Sequence, residues 1–447
     1  MIDSLNIEAF ELVNLISKKP KEPLKERVEL TGSTKERGFN DWSDKIVGNT
    51  VGRTTNHIDK TIEIFLSDEN GSLGFEGTEY SKFESLIRKF LSLDYLSKIV
   101  TFNFIETEAF NWVIDVYKNQ KAESNLYDYL IASIDKKVKS KTFYFPVLNL
   151  EIEKAFTIGN VEFTFFTKEY FDNLYETSKK KDKTITKENF QQIFRKDFQG
   201  QVLAKVTIKA ESNKAEEIAK TYAEISVDVL KLYSDSAIVP EKKTMFDLNF
   251  RLGYQVQTNF LTEEPNGLEN GLAISMQFNN RPFNFSQRHY LSANQSGLKI
   301  FSDYISKKKS DELHQIIIQS IHLFGSAISN WDLHLRCVNL ITILESILLK
   351  DKEDWKMESK VKKRLSNILS NDNKEKEKLQ LIIKNVYQVR HKMIHKAKRI
   401  NIDFKELSNI QMIMINLFLR LIQFNTEFEF KDKETLIDKL EEKNANA

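Results

Sequence analysis

The chain of 447 residues holds a single cysteine, Cys337, and only six prolines. One thiol excludes an intramolecular disulfide, and its apolar neighbours suit a reducing compartment. No uncharged apolar run reaches about 18 residues, so no transmembrane helix is expected. The first residues carry Asp3, Glu8 and Glu11 where a signal peptide would be basic and then apolar, so no leader is expected either. No Gly-x4-Gly-Lys-Ser/Thr occurs, which removes the P-loop ATPases. A global charge field is missing too: 66 Lys and Arg stand against 64 Asp and Glu, a net charge of +2. Any nucleic-acid binding must therefore come from a local patch. What remains is a folded cytoplasmic protein, with 32 Phe and 14 Tyr to build its cores and length for about three domains.

One stretch lacks acids altogether. From Lys378 to Ile402 there is no Asp or Glu, while seven Lys or Arg occur. Inside it lies Val386-Tyr-Gln-Val-Arg-His-Lys-Met-Ile-His-Lys396, which places Arg390, His391 and His395 within six residues on an expected helix. Histidine can both take and give a proton near neutrality. Arginine is permanently charged, and its planar fork fits phosphate oxygens. A proton-transfer pair beside a phosphate clamp, in a basic segment, is what phosphodiester cleavage needs, and the stretch reads as the active site of an RNase. Lys392, Lys396, Lys398 and Arg399 are the candidate phosphate contacts around it. An ideal helix advances about 100° per residue, so His391 and His395 share a face while Arg390 lies roughly 140° from His395. A site needing both calls for a distorted helix end or a second subunit.

Periodicity divides the chain into an α+β fold: a mixed N-terminal region followed by an all-α bundle. Strands are expected at Lys60–Leu66, Ile99–Ile105, Thr142–Val147, Val161–Thr167, Val202–Ala210, Met245–Tyr254 and Leu272–Phe278. Gly159-Asn160 reads as a tight hairpin turn. Helices are expected at Glu108–Tyr117, Leu126–Val138, Lys168–Tyr175 and Lys214–Leu232, with surface loops at Ser178–Lys187 and Gln255–Asn270. After Ser310 glycine occurs once, at Gly325, proline disappears, and five of the seven histidines lie there. Helices are expected at Asp311–Ser329, Asp332–Leu349, Lys360–Ser370, Lys374–His395 and Phe404–Phe424, the first opened by the capping groups of Ser310, Asp311 and Glu312. The expected domains are 1–140, an α+β lobe; 141–308, a second α+β lobe; 309–430, the helical domain; and 431–447, a polar tail. Trp331 and Trp355 are expected in packing roles.

The pattern Arg390-His391-Lys-Met-Ile-His395 near a helix end resembles the signature of the HEPN superfamily: an arginine, a polar residue, a short spacer and a histidine. Within it the chain is similar to the ApeA-like HEPN proteins of bacterial anti-phage defence. The preceding helix is similar too, with Trp331-Asp332 and then Leu340-Ile-Thr-Ile-Leu-Glu345-Ser-Ile-Leu-Leu349, apolar but for one glutamate. Phe145-Pro-Val-Leu, Phe156-Thr-Ile-Gly-Asn-Val161 and the helix after Val206 loosely resemble the N-terminal part of those proteins. The resemblance covers about 130 C-terminal residues. It implies a metal-independent endoribonuclease, without cofactor, built as a homodimer of helical domains. It implies further that His395 is general base or acid, that Arg390 holds the scissile phosphate, and that His391 assists. An abortive-infection effector follows, its residues 1–308 a sensing or restraining region for a phage-derived activator. HEPN toxins silenced by AMPylating antitoxins usually carry a tyrosine two residues after the motif histidine; here Ala397 stands there, so that control is not expected.

Other readings stay open at this level. A basic, His-containing helix can be a solvated face. A His-x3-His pair can bind zinc, but the metalloprotease form needs glutamate after the first His, where Lys392 stands. Glu345 is either a catalytic-site residue pairing with Arg390 or a buried carboxylate with a structural partner. The whole chain can also be a non-catalytic sensor or scaffold that binds nucleic acid or nucleotides and dimerises through the helical domain. An apolar stripe of Ile413, Leu417, Leu421 and Phe424, with Ile341, Leu344 and Leu348, exceeds what one small bundle is expected to bury, which favours a dimer.

Overall fold

A computed structural model of the chain describes residues 2–19, 50–55, 61–68, 71–93, 95–181, 184, 186–190, 192, 198, 200–242, 246–252, 258–262, 273–277, 282–307, 311–330 and 332–445. Its contacts divide the chain into two compact units, Met1–Lys141 with Ile208–Glu217, and Thr142–Thr207 with Ile218–Ala447. Apart from Lys141 and Ile208–Glu217, the expected second lobe and the expected helical domain thus fall within one unit.

The first unit opens with α1 (Ile2–Val13), β1 (Ser17–Lys19), β2 (Thr50–Thr55), β3 (Thr61–Asp68) and β4 (Gly71–Glu76), followed by α2 (Gly77–Leu91), α3 (Phe102–Asn119) and α4 (Leu126–Lys137). The strands form an antiparallel sheet in the order β1-β4-β3-β2. Phe75, Phe83 and Phe110 meet ring to ring in its core. The strand expected at Ile99–Ile105 is instead the start of α3. Thr101 caps it, accepting from the Phe104 N–H at 3.2 Å, and Ile105, Ala109, Phe110 and Val113 are buried at helical spacing. A short β-branched window misled because the longer period decides.

The chain passes into the second unit along β5 (Lys139–Leu148), followed by β6 (Leu150–Ile152), β7 (Phe156–Ile158), β8 (Val161–Thr164), α5 (Lys168–Lys181), β9 (Val202–Ala210) and α6 (Ser212–Lys231). Of these, Ile208–Glu217, the end of β9 and the start of α6, belongs to the first unit. Gly159 makes the β7–β8 turn with φ of +60°, as the Gly-Asn pair predicts. Helix α5 extends through part of the loop expected at Ser178–Lys187. Next come α7 (Asp235–Ile238), β10 (Asp247–Leu248), α8 (Asn249–Leu252), the antiparallel pair β11 (Thr258–Thr262) and β12 (Ala273–Gln277), β13 (Phe283–Phe285), α9 (Gln287–Gln295) and α10 (Leu298–Ile305). A five-stranded sheet runs β10-β5-β9-β8-β7. The loop expected at Gln255–Asn270 contains β11, its other residues lying outside the described ones. The strand expected at Met245–Tyr254 shrinks to two residues, because Asp247 and Arg251 turn helically to pair at 3.3 Å.

Six helices complete this unit: α11 (Glu312–Ile328), α12 (Leu333–Leu348), α13 (Met357–Leu369), α14 (Asn373–Lys396), α15 (Phe404–Phe428) and α16 (Lys433–Ala445). Ser310 and Trp331 lie outside the described residues; Asp311 caps α11 by accepting from the His314 N–H at 2.8 Å. Where a polar tail is expected, α16 packs on α13 and α12 and buries Leu436, Ile437 and Leu440. Trp355, expected to pack, is 74% exposed. Most of the expected dimer stripe is consumed inside the chain: Ile341, Leu344, Leu348, Ile413, Leu417 and Leu421 are buried there, and Phe424 is half-buried. Helix α15 is long and apolar enough to cross a membrane by length and composition alone, yet more than half of its apolar stretch is buried inside the chain.

Two charge networks pin these helices. Asp228 of α6, fully buried, meets Lys231 at 3.2 Å, Arg251 at 3.1 Å and His322 Nδ1 at 2.7 Å. Burial alone would raise its carboxyl, but Lys231, His322 and Arg251 together hold it below the ordinary range. The hydrogen bond to Asp228 raises the His322 imidazole. Gly325, the lone glycine of the helical part, gives Asp228 its space: a Cβ there would stand 2.5 Å from the Asp228 Oδ1. In the second network, buried Arg364 of α13 grips Glu353 and Glu441, so it ties α16 to the bundle.

Gly325→Ala weighs about 1 kcal/mol of helix propensity gained against about 1–3 kcal/mol of overpacking on a buried ion cluster. The expected net is destabilisation, read as a lowered denaturant midpoint; a raised midpoint contradicts the packing argument. Arg364 holds the Glu353 carboxyl down at about 2, from an ordinary 4.5. A depressed carboxylate stabilises fully above its unfolded pKa and loses that contribution as pH falls through the folded one. Stability should therefore drain between about pH 4.5 and 2, and Glu353→Gln should flatten that part of the acid denaturation curve.

Candidate active site

Helix α14 carries the motif, and its two ends are fixed by local chemistry. At its start Asp372 accepts from the Glu375 N–H at 2.8 Å. At its end Ala397 turns left-handed, φ +47°, and both Ala397 and Lys398 donate their N–H groups to the Lys392 carbonyl. Alanine is strained there by about 1 kcal/mol relative to glycine, so something must hold the turn. The cap of α12 does: Asp332 binds Arg399, and His334 Nε2 meets the Ile400 carbonyl at 2.8 Å. Although burial pulls the other way, N–H bonds from His334 and Leu335 and the charge of Arg399 keep the Asp332 carboxyl below its usual range.

The buried side of α14 presents Ile383, Val386, Tyr387 and Val389 to the bundle. Arg390 borders that side and reaches Glu345 of α12, Nη2 to Oε2 at 3.0 Å. The Tyr387 hydroxyl donates to the other Glu345 oxygen at 3.1 Å. Burial first, and the Glu345 charge second, push the Tyr387 hydroxyl up, so it stays a donor. Glu345 is therefore largely buried and is paired with both Arg390 and Tyr387. Arg390 is 28% exposed, and its Nε is buried without a partner.

The other side of α14 faces solvent. His391 and His395 are exposed, with ring centroids 5.0 Å apart one helical turn from each other. The helix runs unbroken through Lys396, so of the two alternatives the distorted helix end is not seen, and the histidines and Arg390 sit on different sides of it. Of the expected phosphate contacts, Lys396 and Lys398 are exposed and Lys392 half-buried. No carboxylate pairs with these three among the described residues. Arg399 is engaged by Asp332.

A cavity of about 190 Å³ opens between α14 and the start of α15, under residues 400–403. Sequence reasoning missed it, along with Tyr387 and the Asp332–His334 clasp. Tyr387 could have been found, since it precedes Arg390 by three residues and shares its side of the helix. The clasp joins residues some 66 apart and left no local trace. Asp332→Ala should loosen the left-handed turn, read as faster amide hydrogen exchange confined to residues 396–400 and the first turn of α12; unchanged exchange would rule out the clasp as the restraint. No family model, curated protein or solved structure matches the chain.

Proposed function

We propose that the chain is a metal-independent endoribonuclease, the cytoplasmic effector of an anti-phage abortive-infection system. The observation that carries this reading is the exposed His391–His395 pair, 5.0 Å apart, on the same helix as an arginine already oriented by a buried carboxylate. RNA supplies its own nucleophile, so the protein needs a base, an acid and charge stabilisation. His395 takes the 2′-OH proton as the 2′-oxygen bonds to phosphorus. The P–O5′ bond breaks, and His391 protonates the departing 5′-oxygen. Arg390 and the neighbouring Lys392, Lys396 and Lys398 offset the charge on the phosphate. A 2′,3′-cyclic phosphate and a 5′-hydroxyl result.

Because α14 is a regular helix, Arg390 and the histidines of one copy address different directions. A homodimer in which a second copy completes the site answers that geometry. The apolar stripe no longer argues for it. Residues 1–308 serve the sensing of a phage-derived activator. The non-catalytic reading draws on one fact, that Arg390 is half-buried and ion-paired as a structural residue would be.

Incubation of the full chain with total RNA in EDTA separates the two. Cleavage leaving 2′,3′-cyclic ends is expected, with His395→Ala and Arg390→Ala each slower by about 10²–10⁴-fold and still folded by circular dichroism. Loss of helicity in Arg390→Ala with His395→Ala fully active would favour the structural role, and rescue only by added Mg²⁺ would overturn the 2′-OH mechanism.

A further inference from the structure

We infer that the cavity beside the histidine row is a guanine-reading subsite, an inference that rests on the nuclease reading above. Its floor is apolar: Val386, Val389 and Leu407 are 3%, 8% and 1% exposed. Its more exposed lining is polar, with Gln388, Asn401, Asp403 and Glu406, of which Asp403 already accepts from the Lys405 N–H. Gln388 is exposed and stands three residues before His391 and seven before His395, so the rim continues the row of the two imidazoles. One helical turn, about 5 Å, separates them, within the reach of a single nucleotide.

Size selects the occupant. A volume of about 190 Å³ is below that of a drug-sized site, and it suits one planar base while the phosphate stays outside with the histidines. An apolar floor under a polar rim is the arrangement that takes a splayed base, burying its faces and reading its edge. Chemistry then selects among bases. Asn385 donates to one oxygen of Glu406 and so fixes the carboxylate at the rim. A carboxylate is acceptor-only, with about four lone-pair sites, so the bond from Asn385 leaves it room for two more donors. Guanine alone presents two adjacent donors, N1–H and N2–H, on its Watson–Crick edge. Adenine and cytosine set an acceptor beside their amino group, and uracil flanks its N3–H with carbonyls. The amides of Gln388 and Asn401, with no side-chain bond of their own among the described residues, supply donors for guanine O6 and N7.

Two readouts on the full chain test this: mapping of cleavage sites by sequencing of cut RNA ends, and calorimetric titration with 3′-GMP, 3′-AMP, 3′-CMP and 3′-UMP. The expected result is cleavage next to guanosine and a preference for 3′-GMP of about ten- to a hundredfold, the size of one bidentate base contact. Glu406→Gln should erase both biases, whereas His395→Ala should abolish cleavage and keep the 3′-GMP preference. Cleavage without guanine bias, or a bias unchanged in Glu406→Gln, overturns the subsite and leaves the nuclease reading intact. A 3′-GMP preference that Glu406→Gln erases, in a protein that cuts no RNA, supports the subsite and overturns the nuclease reading instead.

Discussion

Glu345 is a carboxylate set into an apolar helix, and the rest of the site follows from the need to satisfy it. Taking such a group out of water costs several kcal/mol unless it is paired and hydrogen-bonded. Tyr387 and Arg390 meet that need, one on each oxygen, and they stand one turn apart on α14. Two contacts a turn apart fix the rotation of a helix as well as its position. With Ile383, Val386, Tyr387, Val389 and Arg390 turned toward the bundle, the 3.6-residue period carries His395 to the outer side of the helix and His391, only about 40° from Tyr387, to the edge of the buried side. The rotation of the motif helix is thus tied to a largely buried charge some 45 residues earlier in the chain.

The same logic recurs away from the site. Asp228 is reached by Lys231, Arg251 and His322 from three elements, and Arg364 joins Glu353 to Glu441 across the bundle. Replacing such a cluster with apolar side chains can be neutral, but deleting one member strands a charge in the interior. Each cluster therefore acts as a registration device: only one arrangement of the helices pairs every member. Strain at Ala397 belongs to this scheme. A left-handed alanine persists only where neighbours over-determine it, and the Asp332–Arg399 and His334–Ile400 contacts do so at the turn that ends the histidine row.

What was legible in the sequence was what depends on local period and local chemistry. The long helices after Ser310, the Gly159-Asn160 hairpin and the placement of Arg390, His391 and His395 on one helix all follow from neighbours in sequence. What was hidden depends on distant partners. Asp247–Leu248 stops after two residues because Asp247 serves Lys231 and Arg251, a demand that no window around residue 247 contains. The tail helix α16 carries three buried apolar residues among many charges, too few to register until Arg364 is seen to meet Glu441. Likewise the stripe on α15 looked like surplus only while the volume of the surrounding helices was uncounted. Glu345 was ambiguous for a related reason: one acid in an apolar run announces a partner without naming it.

The ion pair with Glu345 does not by itself disqualify Arg390 as a phosphate ligand. A guanidinium carries five N–H donors in a fixed fork, and Glu345 engages Nη2. A carboxylate behind an arginine holds its plane and reduces the freedom that phosphate binding would otherwise have to remove. The cost is partial neutralisation, which the three lysines of the same helix end offset without needing fixed geometry, since an ammonium acts as a point charge. Phase sets the remaining constraint. A regular helix cannot bring Arg390 and His395 to one phosphate oxygen from one direction, and α14 shows neither kink nor bulge through Lys396. Under the nuclease reading proposed above, a composite site between two copies would reconcile an oriented arginine with an outward histidine pair and would make cleavage depend on assembly.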